Sequence, residues 1–295
     1  MKKYENTLIF SLIVLAIFCY YGMIQEKNFQ QKAQKEELRE ALLVEELNKT
    51  PFEAKAISVF DSTKNKKLYG KNESVLMPFA SLGKTMTVLT TLSKINREDY
   101  KIISPESSKQ EGGGILSVGD RWEVQSLARY TILSSSNEGA YTLLEPKPNF
   151  LKSMNEKAHK IGMKNTNFYN STGLDIDLHN PGSYGTAEDA NTMSLYAVLA
   201  YPDIFNVTTK KEAEFVSESG KKYLVFNRNT SLEKIPNIIF SKTGFTKLAG
   251  GNLSVIFKDR RNHFIAVTVL GSSIDGRFKD VEKIVNILYN FNYEI

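Results

Sequence analysis

Residues 237–272 read NIIFSKTGFTKLAGGNLSVIFKDRRNHFIAVTVLGS. Three runs in this stretch, 237–245, 251–260 and 263–272, are rich in Val, Ile and Phe and are parted by turn residues, the pattern of an antiparallel meander. A fourth run, KKYLVFNRN at 221–229, precedes them and reads as part of the same meander. Near the other end, AKAISVFD (54–61) and LYGKN (68–72) flank the polar STKNKK and read as a hairpin. Between these ends, Leu82, Met86, Leu89 and Leu92 at helical spacing predict a buried helix over 81–92. Further helices are expected over 123–134, 136–145, 151–161, 187–201 and, after the meander, 276–290. Strands at both ends with helices between predict an α+β fold over 51–295, in which N-terminal hairpin and C-terminal meander share one antiparallel sheet with helices packed against it.

The chain has 295 residues, 41% hydrophobic and 24% charged, enough for one sizeable core with small appendages. Its net charge is +5, but Lys and Arg are scattered among acids rather than gathered into a basic stripe with aromatics between them, which argues against a nucleic-acid partner. The single cysteine, Cys19, lies in an apolar N-terminal run, so the remainder forms neither a disulfide nor a thiolate metal site. His159, His179 and His263 lack H-x-x-x-H or H-E-x-x-H spacing, and no metal or other cofactor is expected.

From Leu8 to Ile24 the chain is LIFSLIVLAIFCYYGMI, uncharged throughout and preceded by Lys2 and Lys3. As a helix it extends roughly 25 Å at about 1.5 Å per residue, close to the hydrocarbon thickness of a bilayer. The expected layout is a cytoplasmic tail (1–6), a transmembrane anchor (7–24), a juxtamembrane helical linker (25–50) that holds the domain off the bilayer or packs weakly on it, and the compact domain (51–295) outside the cell membrane. Cleavage as a signal peptide is the competing account; the bulky Phe18, Cys19, Tyr20 and Tyr21 at the exit fit it poorly.

Three short motifs carry chemistry. In Ser81-Leu82-Gly83-Lys84, residues i and i+3 share one helix face, so the hydroxyl and the amine can approach each other, and a desolvated lysine can serve as base. The spacing alone is weak, since it recurs at Ser219 to Lys222 and Ser231 to Lys234, and an isolated copy is as well read as a capping serine beside a solvated lysine. Ser135-Ser136-Asn137, at a helix junction, offers a hydroxyl and an amide two residues apart; its plain reading is a cap before Glu138. Lys242-Thr243-Gly244, in an expected strand, offers a cation and a hydroxyl for a carboxylate beside a residue with no side chain, against which an extended substrate could lie.

The order S-x-x-K, S-x-N, K-T-G resembles that of penicillin-binding proteins and class A β-lactamases. MPFASLGKTMT, MNEKAHKIGMKNTNFYNSTGLD, HNPGSYGTAEDA, SKTGFTKLAGGNLS and GSSIDGRF are most similar to segments of the low-molecular-mass serine D,D-carboxypeptidases, and the resemblance covers about 55–275. It implies a β-lactamase/transpeptidase-like domain and acyl transfer at peptidoglycan stem peptides, with β-lactams as covalent inhibitors. By the same resemblance Ser81 is acylated, Lys84 is its base, and Ser135 with Asn137 handles the proton and the substrate amide. Lys242 and Thr243 hold the terminal carboxylate on the Gly244 edge, and the N–H groups of Ser81 and Phe245 form the oxyanion hole. A D,D-endopeptidase, a β-lactamase or esterase, and a catalytically silent wall-binding or penicillin-sensing protein remain alternatives.

Four departures stand out. Gly83 replaces the usual threonine beside the base, which predicts looser Ser81–Lys84 geometry. Gly185, with an inserted Pro-Gly, replaces the usual serine and is expected to reshape the cleft rim. Ser136 and Glu138 replace the common Gly and Asp of the second motif. Gly112 to Gly114 read as a flexible cleft-side loop, Asp175 and Asp177 as turn residues, and Arg228 as either surface or an added cation near the substrate.

Overall fold

The structure, a computed structural model, describes residues 2–144 and 148–291, without the side chains of 2–14, 16 and 148. A long helix α1 (Lys2–Lys49) leads into the hairpin β1 (Ala56–Asp61) and β2 (Lys66–Lys71). Helices α2 (Lys84–Lys94), α3 (Val124–Ser134), α4 (Asn137–Leu144), α5 (Pro148–Lys160) and α6 (Ala187–Ala200) follow. The chain then forms β3 (Ile238–Thr246), β4 (Gly250–Lys258) and β5 (Phe264–Ser272) and closes with α7 (Gly276–Phe291).

The five strands make one antiparallel sheet in the order β3-β4-β5-β1-β2, so the two ends of the domain do share a sheet, and β3, which carries Lys242-Thr243-Gly244, is its edge. Strands β4 and β5 are covered on both faces, which is why they read as nearly unbroken apolar runs. Leu253, Val255, Phe257, Ile265, Val267 and Val269 pack with α7 on one side. Ile256, Ala266 and Leu270 face the helical layer built on α2, α3 and α6. A polar stitch crosses that second face: Thr268 Oγ1 donates to Asn191 Oδ1 at 2.7 Å, and Asn191 Nδ2 donates to Ser58 Oγ at 3.0 Å, fixing α6 across β1 and β5.

Two sequence expectations need correction, those for the 221–229 run and for the start of α2. The 221–229 run is not part of the meander; Lys222–Phe226 pairs with Glu212–Val216 in a separate two-stranded sheet. Lys222, Leu224 and Phe226 are exposed while Tyr223 is buried, so this strand covers only one face and does not fit a sheet packed on both. The helix expected over 81–92 opens as a 3-10 turn, Ala80–Gly83, and becomes α-helical only at Lys84. The helix expected over 136–145 runs to Leu144; residue 145 lies outside the described residues.

The linker also differs from expectation. Residues 25–49 are helical, but their second half belongs to the compact body: Leu43 and Leu47 are buried in the cluster formed by β1, β4, β5 and α7. Glu36 and Glu40 pair with Lys64 and Lys66 of the hairpin, and Arg39 Nε donates to Phe291 O at 3.2 Å. Among the described residues no helix is long and apolar enough to cross a membrane, and the side chains of 7–14 and 16 in the expected span lie outside them.

Candidate active site

Ser81 sits in the Ala80–Gly83 turn that feeds α2, and the backbone before it is held in an unusual shape. Ala80 has φ +50°, a conformation unfavourable for a residue with a Cβ, and the surroundings enforce it. Asn252 Nδ2, on β4, donates to Pro78 O (2.9 Å) and Phe79 O (3.1 Å), while Asn252 Oδ1 accepts from Gly271 N (2.8 Å). The sheet thereby clamps the segment that presents the serine. Gly244 passes so close that a Cβ there would stand 2.7 Å from Phe79 O and 3.3 Å from Ser81 N.

Lys84, the first residue of α2, is fully buried. Its Nζ lies 2.7 Å from Ser81 Oγ, 2.6 Å from Asn137 Oδ1 and 2.6 Å from Thr172 O. Burial pushes its pKa down to about 7, and Glu111 pulls it slightly back. Two of its three partners are acceptors only, so a neutral amine spends both N–H groups on Asn137 and Thr172 and turns its lone pair to the Ser81 hydroxyl. Gly83 does not loosen this arrangement: its φ is an ordinary −57° and Lys84 has three anchors besides.

Ser135 is the left-handed cap of α3 (φ +61°), and its Oγ accepts from Lys242 Nζ at 2.8 Å. Asn137 opens α4; besides meeting Lys84 through Oδ1, it donates from Nδ2 to Glu111 O at 2.8 Å. Both ends of this amide are therefore taken by the protein itself. Lys242 is buried and also donates to Thr243 O (2.8 Å); burial, then Lys84, Arg277 and Arg228, hold its pKa well below the usual lysine range. Ser81, Ser135, Asn137, Thr243, Gly244 and Phe245 line a cleft of about 500 Å³, with Lys84 and Lys242 behind its wall. All eight residues expected at the site thus converge.

The competing copies of the first motif do not. Lys222 and Lys234 are exposed and pair with Glu214 and Glu282. Gly185 is away from the rim: it is buried under Phe79, whose ring would come within 2.2 Å of a Cβ there. Asp177 is a turn residue, accepting from His179 N and Asn180 N, whereas Asp175 ties its loop to the β3–β4 turn through Thr246 Oγ1 (2.8 Å) and Leu248 N (3.2 Å). Arg228 lines the cleft, its Nε donating to Ser134 O at 3.4 Å.

Sequence reasoning gave no role to two participants. Thr172 contributes only a backbone carbonyl, delivered because Gly173 (φ +75°) packs against Ala80 O; the STGL run was the available signal. Arg277 Nη1 donates to Gly244 O at 2.7 Å and reaches the cleft from α7, and the GRF triplet marked its place.

Comparisons with known proteins agree with this geometry. A family model described as D-alanyl-D-alanine carboxypeptidase matches residues 44–273. A D-alanyl-D-alanine carboxypeptidase of Bacillus subtilis is 28% identical over 248 residues, covering 81% of this chain and 62% of the relative. A D-alanyl-D-alanine endopeptidase of Pseudomonas aeruginosa is 34% identical over 202 residues, covering 65% and 63%. The chain thus spans about three-fifths of the length of these curated relatives. Penicillin-binding protein D2 from Listeria monocytogenes, in its ampicillin-bound form, superposes with a TM-score of 0.70 at 26% identity, covering 81% of this chain and 98% of that one. With its motifs gathered in one cleft and most of its length matched by that model, the chain belongs to the D-alanyl-D-alanine carboxypeptidase family.

Proposed function

We propose that the protein is a serine-type D,D-carboxypeptidase that removes the terminal D-alanine from peptidoglycan stem pentapeptides through a Ser81 acyl-enzyme. The observation that carries this reading is the buried Lys84 amine, 2.7 Å from Ser81 Oγ with its other two contacts made to carbonyl oxygens. Lys84 takes the Ser81 proton as Oγ attacks the carbonyl between two D-alanines. The N–H groups of Ser81 and Phe245 face the developing oxyanion, each such donor contributing about 3–4 kcal/mol in serine hydrolases generally. Ser135 relays that proton from Lys84 to the departing amine as the C–N bond breaks, which leaves Lys84 neutral again. Lys84 then takes a proton from water, the hydroxide cleaves the ester, and Lys84 returns the proton to the departing Ser81 oxygen. Lys242 and Thr243 hold the terminal carboxylate, and extended substrate lies along Gly244 and Phe245. Every step is an acyl or proton transfer and calls on no cofactor.

A β-lactam would acylate Ser81 in place of the dipeptide. A D,D-endopeptidase acting on cross-links is the second reading, supported by the relative of that name. The uncharged run at 8–24 after Lys2 and Lys3 supports a single-pass anchor in the cell membrane with the catalytic domain on the extracytoplasmic side.

The test is D-alanine release from a pentapeptide, with Ser81→Ala as control. Release by the wild type alone is expected; equal release by both proteins, or by neither, refutes the carboxypeptidase. Cleavage of purified cross-linked dimer without D-alanine release selects the endopeptidase.

A further inference from the structure

Glu138 follows Asn137 in the first turn of α4 and is 1% exposed, and among the described residues its carboxyl is met by backbone N–H groups rather than by a cation. A buried carboxylate without a counter-ion persists only where N–H donors compensate it. Here they come from one segment of the cleft wall: Leu116 N donates to Oε2 at 3.1 Å and Gly114 N to Oε1 at 3.4 Å. The neighbouring Asn137 holds the start of the same segment through Glu111 O at 2.8 Å. The segment is shaped for this contact, since Gly112 and Gly114 adopt φ of +69° and +83°, and a Cβ on Gly113 would stand 2.5 Å from Ser108 O. Glu111, Gly112 and Ile115 of the segment line the cleft, while Leu116 is buried beneath it.

Two consecutive side chains of one helical turn therefore pin the wall at both ends, and the first of them also touches the Lys84 amine. We propose that Glu138 is a positioning residue, a clasp that fixes the 111–116 wall and thereby the part of the cleft met by the peptide portion of a long substrate. The inference deepens the proposed function and rests on it for the identity of that substrate. Glu111, Gly112 and Ile115 line the same cleft as Ser81, Gly244 and Phe245, so a stem peptide extended along the Gly244 edge would meet this wall over more of its length than a compact penicillin would. Glu138 accordingly governs substrate binding more than acylation itself.

The test uses the full chain and Glu138→Gln, which keeps the shape but points an amide donor at groups that need an acceptor. Hydrogen exchange across 112–116 should quicken at least tenfold, and KM for a pentapeptide should rise at least fivefold, while acylation by a penicillin with a small side chain changes less than twofold. Glu138→Asp, which keeps the charge with a shorter reach, serves if the first variant does not fold, and should shift both readings in the same direction by less. Unchanged exchange across 112–116, or equal slowing of penicillin and peptide, overturns the clasp. The exchange reading does not depend on the reaction, so absence of D-alanine release by the wild type refutes the proposed function and leaves the clasp to be judged by exchange alone.

Discussion

At the residue scale the chemistry depends on which groups are kept dry. Because burial brings Lys84 to about 7, its neutral fraction grows as pH rises through that value. Acylation of Ser81 by a penicillin should climb about tenfold per unit below this point and level off above it, read by stopped-flow fluorescence across pH 5–9. Lys84→Met should lower the plateau by about 10²–10⁴-fold. Glycines at the site divide by the space around them. Gly244→Ala places a Cβ against Phe79 O and beside Ser81 N, and should destabilise by about 1–3 kcal/mol and abolish acylation. Gly83→Ala meets its nearest atoms at 3.4–3.6 Å with helical backbone, and should stabilise by about 0.5–1 kcal/mol with acylation within twofold of wild type. Thermal melts and penicillin labelling check both. The eight expected positions were legible from three short motifs taken in order together with a family resemblance, since each motif alone is weak, and the structure brings them around one cleft. Thr172 was not, because a backbone carbonyl leaves no mark of its own in side-chain chemistry.

At the element scale, α1 is where the chain's two regimes meet. Residues 15 and 17–35 are exposed throughout, whereas Leu43 and Leu47 enter the core. Leu47→Ala should cost about 2–5 kcal/mol, and a chain beginning at residue 51 should melt well below one beginning at 36, as followed by circular dichroism. The partial apolar stripe was readable, but not whether a sheet face awaited it; that face is assembled from β1, which ends at Asp61, and the β4–β5 pair, which starts only at Gly250. The same limit misassigned the 221–229 run. Its residues suit a strand, and only the packing on both faces of the five-stranded sheet excludes it from that sheet.

At the scale of the whole molecule, one sheet carries the support of the Ser81 turn on β4, the Lys242-Thr243-Gly244 edge on β3, and the docking site of α1 on its opposite face. If 7–24 anchors the protein, removing residues 1–24 should release it from the membrane fraction while D-alanine release from a soluble pentapeptide remains unchanged; loss of activity on truncation, or unaltered fractionation, counts against the anchor. The sequence by itself determined the α+β class, the motifs and the order in which they occur, because helix spacing, strand composition and the demands of a serine–lysine pair are written over a few residues at a time. Only the tertiary structure decided that Lys84 is dry, that Lys242 reaches Ser135 across 107 positions, and that Glu138 faces a loop rather than solvent. Burial and long-range approach are properties of the assembled sheet and helices together, and no local stretch of chain contains them.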